Sequence, residues 1–195
     1  MLAMAIVCAT AMTQAATTKW TATTSSNIIY LPGTTETPGT TALSSGTAYL
    51  FCLSTADSAT TATLYSQSDI VTAFKNGTDI STLDYQKDLT VSDGLIATTA
   101  FTSDDFATGK ATKFFFAIVN DDNIYISAAV QKTSNGTTPQ SLLYNPASSS
   151  AAALKDINDG YSSAGWYGTT SVPEPTSGLM LLLGVAGLAL RRKRA

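Results

Sequence analysis

The spacing of large apolar side chains along the chain predicts a fold built mainly from strands. The plainest unit is "TKFFFAIVNDDNIYISAAVQK", residues 112–132, where two apolar runs flank Asn120-Asp121-Asp122-Asn123. That pattern predicts an antiparallel hairpin. On its second arm, period-two spacing puts Ile124, Ile126, Ala128 and Val130 on one face, with Tyr125, Ser127 and Gln131 on the other. "GTAYLFCL" (46–53) alternates Tyr49, Phe51 and Leu53, and "NIIYL" (27–31), "GLIATTAF" (94–101) and "SLLY" (141–144) are further predicted strands.

Two stretches break the period. "SDIVTAFKNG" (68–77) offers Ser68 or Asp69 as a cap, apolar Ile70, Val71 and Phe74, and an Asn76-Gly77 stop. "SSSAAALKDINDG" (148–160) has serine caps and a Gly160 stop, and predicts a second helix. Strands separated by turn-rich joins predict an antiparallel β-sandwich with one or two short helices over residues 16–160. The Gly/Ser/Thr character of 161–171 predicts a linker.

Both ends carry longer apolar runs. Leu2 to Met12 have the length of a secretory leader core. Thr13 and Ala15 place small residues at −3 and −1 of a cut after Ala15, with Ala16 the next candidate, so residues 1–15 are expected to be a signal peptide. At the other end, the fifteen residues from Thr176 to Leu190 carry no charge. As a helix they would be about 22 Å long, short of the ~30 Å hydrocarbon core. Their flank argues for a membrane all the same. Arg191, Arg192, Lys193 and Arg194 suit a cytoplasmic boundary, and their stems can snorkel to lengthen the span. A C-terminal transmembrane helix is therefore expected, with the basic tail inside and the body outside.

Charge sharpens this division. Residues 16–172 hold seven Lys and no Arg against thirteen acids, a balance of −6, and the terminal cluster then adds +4. An acidic body does not neutralise phosphates, which argues against nucleic acid as a partner.

The C-terminal elements come in a fixed order. Val172-Pro173-Glu174-Pro175, an apolar span rich in Leu, Gly and Ala, and the terminal Arg/Lys cluster together resemble the bacterial PEP-CTERM sorting signal over Val172 to Ala195. The resemblance implies recognition of Pro173, Glu174 and Pro175 by an exosortase, an integral-membrane cysteine protease or transpeptidase that processes the tail. It also implies export to the cell surface or matrix of a bacterium that makes extracellular polysaccharide, a further partner. Two prolines around Glu174 disfavour helix and favour an extended segment that a protease groove can take up. "LPGTT" at 31–35 superficially resembles a different, Gram-positive sorting signal, but it lacks the final Gly and a following anchor. A turn on Pro32-Gly33 explains it better.

The body offers little chemistry. There is no His, and therefore no triad base and no imidazole metal ligand. Cys8 leaves with the leader, and Cys52 sits in an apolar run as a small buried side chain, so no intramolecular disulfide is expected. Neither phosphate-loop motif occurs, and no cofactor is implied. Asp104-Asp105, Asp121-Asp122 and the pair Asp156 and Asp159 suit turns and caps, although paired carboxylates also serve glycosidases and calcium loops. Trp166, Tyr167, Tyr161, Tyr144 and Tyr85 could stack on sugars if exposed. The expectation is a non-enzymatic surface module. A carbohydrate-active enzyme using paired Asp, or a glycan- or calcium-binding adhesin, are the alternatives.

Overall fold

Phe114 to Ile118 are apolar at five successive positions, so a strand made from them needs cover on both faces. The computed structural model describes residues 18–24, 28–34, 36–144 and 153–169, and it supplies that cover. Its strands are β1 (Thr18–Thr24), β2 (Ser45–Thr55), β3 (Lys87–Ser92), β4 (Leu95–Ile96), β5 (Thr99–Ser103) and β6 (Ala111–Asn120). There follow β7 (Asn123–Ile126), β8 (Val130–Thr133), β9 (Gln140–Tyr144), β10 (Lys155–Asp156) and β11 (Gly165–Gly168); one α-helix, α1, spans Gln67–Lys75. The larger sheet runs β10-β11-β7-β6-β2-β3-β4, with β8 on the same edge of β6 as β7. The smaller runs β5-β1-β9.

The two sheets share one apolar cluster, in which Trp20 and Leu142 of the small sheet meet Leu50, Leu89 and Phe116 of the large one. This is the expected sandwich. A second cluster lies on the outer face of the large sheet. There Phe51, Phe115, Ile124 and Ile126 are covered by Ile70 and Val71 of α1 and by Ile80. Strand β6 thus feeds Phe114, Phe116 and Ile118 to one core and Phe115 and Ala117 to the other. All five are fully buried.

The predicted hairpin forms, with β6 and β7 paired antiparallel and Asp121 at φ 51° in the turn. Its second arm does not keep one face. Ala117 pairs with Ile126 but Phe114 pairs with Val130, so three residues on the second arm oppose two on β6. This bulge moves Val130 to the inter-sheet core, while Ile124 and Ile126 face α1. Ser127 makes the bulge tolerable. Its Oγ accepts from the buried Phe116 N–H at 2.9 Å, and its own N–H donates to the Phe116 carbonyl at 2.9 Å.

Helix α1 is where the pattern puts it, but its cap is Ser66, not Ser68 or Asp69. Ser66 Oγ accepts from Asp69 N–H at 3.0 Å and Asp69 Oδ2 accepts from Ser66 N–H at 2.7 Å, a reciprocal capping box. Asn76 and Gly77, the latter at φ 78°, end the helix as expected. The second predicted helix is not found in the described part of 148–160. Lys155–Asp156 pair as β10 and Ile157–Asp159 make one 3-10 turn, because Asp156 caps Asn158 N–H and pairing with β11 holds the backbone extended.

Three further expectations change. The sheets are not wholly antiparallel, since β1 pairs parallel with β9 and β10 with β11. "NIIYL" contributes a single bridge, Tyr30 to Ala42, in a narrow loop whose reversal falls at Thr34–Thr37 and not at Pro32-Gly33. The stretch expected as a linker contains β11, buried at all four residues and paired with β7. Burying Trp166 and Tyr167 stabilises by roughly 1.5–3 kcal/mol each, a gain that a solvated linker forgoes. The expected transmembrane helix, Thr176 to Leu190, lies outside the described residues. Among those described, no helix is long and apolar enough to cross a membrane.

Candidate functional site

The residues singled out for sorting fall in three places. Ala15 and Ala16 at the signal cut, Val172-Pro173-Glu174-Pro175, and Arg191, Arg192, Lys193 and Arg194 all lie outside the described residues. What the structure describes is how the body ends just before the motif. Lys155 Nζ donates to Ser163 O at 2.7 Å, Ser163 Oγ at 2.6 Å and Ala164 O at 2.8 Å, and sits 5.1 Å from the centre of the Tyr167 ring. The Tyr167 hydroxyl accepts from Ser162 and Ser163 N–H, each at 3.0 Å, and donates to Ser163 O. These contacts fold 155–168 back on itself, so β11 is fixed immediately upstream of the tail.

The carboxylate pairs do not converge. Asp105 accepts from Thr61 Oγ1 at 2.6 Å and from Ser103 Oγ at 3.0 Å, which ties two loops together. Asp121 and Asp122 are exposed in the β6–β7 turn, and Asp156 caps its 3-10 turn while Asp159 is exposed within it. Among the described residues no group of three or more His, Cys, Asp or Glu is placed to hold a metal ion. The aromatic set divides too. Trp166, Tyr167 and Tyr144 are core residues, with Trp166 edge-on to Tyr125 and Tyr144 edge-on to Phe116. They cannot offer a face to a sugar. Tyr85 and Tyr161 are half-buried.

One arrangement was not anticipated. On the outer face of the large sheet, beside α1, a groove of about 380 Å³ is lined by Thr47, Tyr49, Phe74, Thr78, Asp79 and Val119. Tyr85 packs on Tyr49 with ring centres 5.0 Å apart, and the Asp88 carboxylate raises its phenol above the ordinary pKa. Asp88 lies opposite Tyr49 across the β2–β3 pairing. Burial raises the Tyr49 phenol above its ordinary pKa, and Asp88 and Asp79 push it the same way. Asp79 is held ionised to lower pH than usual by the Ser81 hydroxyl and N–H, at 2.7 and 2.9 Å. Alternation in "GTAYLFCL" already set Tyr49 with Phe51 on one face. What it lacked was the partner: Asp79 and Tyr85 arrive from outside that strand.

No curated protein and no solved structure matches the chain. Residues 171–194 match the family model of the PEP-CTERM protein-sorting motif, a span holding both Val172-Pro173-Glu174-Pro175 and the basic cluster Arg191 to Arg194. That motif implies export and membrane-associated sorting through recognition by an exosortase, itself a membrane protein.

Proposed function

We propose that the chain is an exported protein whose β-rich body serves, without catalysis, as a structural or interaction module at the cell surface or in the extracellular matrix. Its tail is read at Pro173-Glu174-Pro175 and processed by an exosortase. The observation that carries this reading is the sorting motif at 171–194. The body's last strand ends at Gly168, so the motif follows with only Thr169 and Thr170 between. A cut downstream of the motif's start therefore removes none of the described strands. The same economy holds at the other end. Cleavage after Ala15 leaves Ala16 and Thr17 ahead of β1, which begins at Thr18. A non-catalytic body is favoured by the separation of the expected Asp pairs, with Asp105 tying loops, Asp121 and Asp122 in a hairpin turn, and Asp156 capping a 3-10 turn.

Mass spectrometry of the mature C-terminus tests the proposal. Cells that hold an exosortase should yield protein lacking Arg191 to Arg194, and cells without it should yield the full tail. Peptides intact through Arg191 in exosortase-bearing cells would sink the sorting claim.

A further inference from the structure

The groove beside α1 is chemically one-sided. Tyr49 and Phe74 give it aromatic faces, Asp79 gives it a carboxylate, and no basic side chain lines it. Just outside the lining, Tyr85 packs on the Tyr49 ring and Asp88 lies opposite Tyr49 across the strand pair. Neither Asp79 nor Asp88 has a cationic partner among the described residues. Lys87 is Asp88's neighbour in β3, but strand alternation sends successive side chains to opposite faces of the sheet. The lining is also fixed in place. Asp79 caps the 3-10 turn Ile80–Thr82 through Ser81, Ile80 is buried in the outer core, and Tyr49 is braced by Tyr85, itself edge-on to buried Phe51 with centroids 6.2 Å apart.

We infer that this groove is a binding site for an organic cation, an alkylammonium or guanidinium group of the kind a lysine or arginine side chain of a partner protein presents. Aromatic faces attract cations through the ring quadrupole, and the Asp79 carboxylate in the lining, with Asp88 opposite Tyr49 on the neighbouring strand, supplies the matching charge. An anionic ligand meets repulsion from both carboxylates. A neutral sugar gains ring contact but leaves the carboxylate field unused. The stem of a basic side chain can lie along Phe74 and Val119, of which Val119 is 37% exposed next to the buried run Phe114 to Ile118. The inference deepens the interaction-module reading of the body and is independent of the tail, so its failure leaves sorting untouched.

The test titrates the mature exported protein with n-butylammonium and n-butylguanidinium, following the tyrosine ring resonances by NMR. Both cations should shift Tyr49 and Tyr85 saturably, and butyrate should not. The double substitution Asp79→Asn and Asp88→Asn should weaken binding about five-fold or more, as should raising the salt to about 0.5 M. Asn also caps helix starts, so this variant retains the turn, which near-UV circular dichroism checks. Thr90→Lys gives a second route. Thr90 is exposed, two residues beyond Asp88 on the same face, and a tethered ammonium there should block the free cations. Equal shifts with methyl glucoside, or cation binding unchanged in both variants, would overturn the inference in favour of a neutral ligand or of no site.

Discussion

The indole N–H of Trp166 donates to the backbone carbonyl of Tyr30 at 2.7 Å, joining the last strand of the body to a loop 136 residues earlier. That bond, with the edge-on contact of Trp166 and Tyr125, makes β11 part of the core. Replacing Trp166 by Phe keeps an aromatic ring but leaves the Tyr30 carbonyl without this donor. We expect a loss of about 1–3 kcal/mol, read as a lower urea midpoint. Chains ending before Gly165 should lose the cooperative transition, whereas chains ending at Thr170 should keep it. On the proposed processing, a cut that spares this strand falls beyond Gly168.

Ser127 carries the bulge that turns β7 into β8. Ser127→Ala would leave the Phe116 N–H buried without its side-chain acceptor, at a cost of about 1–3 kcal/mol. Denaturant unfolding measures it. Ser127→Thr should cost less, because the hydroxyl is retained.

Gly39 lies so close to the opposite arm of its loop that a Cβ would stand 1.9 Å from the Leu31 carbonyl oxygen. Gly33 is in the same position against the Thr37 carbonyl. Alanine at either site should destabilise by about 1–3 kcal/mol, through displacement of backbone. Alanine at Gly109, where nothing lies within 4 Å of the added carbon, should cost less, and only through its φ of 82°. Thermal melts of the three variants give the comparison.

Cys52 is buried, and desolvation pushes its thiol up to about 12. The thiol therefore stays protonated at neutral pH and is a poor nucleophile. Alkylation by iodoacetamide should proceed only through unfolding, so its rate should rise with urea. The exposed thiol then ionises near its ordinary pKa of about 8.5, so the rate should also rise with pH between 7 and 9. Fast labelling of the native protein would contradict the burial described here.

Acid should loosen the loops held by Asp57. Its carboxylate accepts from Ala107 N–H and from Ala59 N–H at 3.1 Å, and these bonds, the first more than the second, lower its pKa from 3.8. A depressed native pKa stabilises the fold above the unfolded value and ceases to do so as pH falls through the native one. Stability should thus drop below about pH 4, and Asp57→Asn should flatten that part of the profile. Urea midpoints measured across the acid range provide the check.

Local chemistry was legible. The hairpin at 120–123 and the Asn76-Gly77 stop follow from turn and cap preferences that act within a few residues, and the sorting motif is written contiguously. What failed was what depends on distant partners. "GWYG" has no alternation and sits amid Gly and Ser, so it resembles a linker until β7, about forty residues upstream, offers it an edge. The five-residue apolar run in β6 announced burial without saying which core each side chain enters. The same blindness made Trp166, Tyr167 and Tyr144 look available for stacking, since a sequence records the size of a ring but not what covers it.

The sequence by itself determined that this chain is mainly β, that it carries an acidic body ahead of a basic end, and that its C-terminal segment is a sorting signal. Each of these is a property of neighbouring residues or of composition, and needs no fold to be read. Tertiary structure decided that β11 joins the core, that a bulge at Ser127 splits one arm between two cores, and that Asp79 shares a groove with Tyr49 while Tyr85 packs on the Tyr49 ring. Those outcomes depend on which strand edges and faces remain open once the long central strands have paired. That is settled by packing across the whole chain.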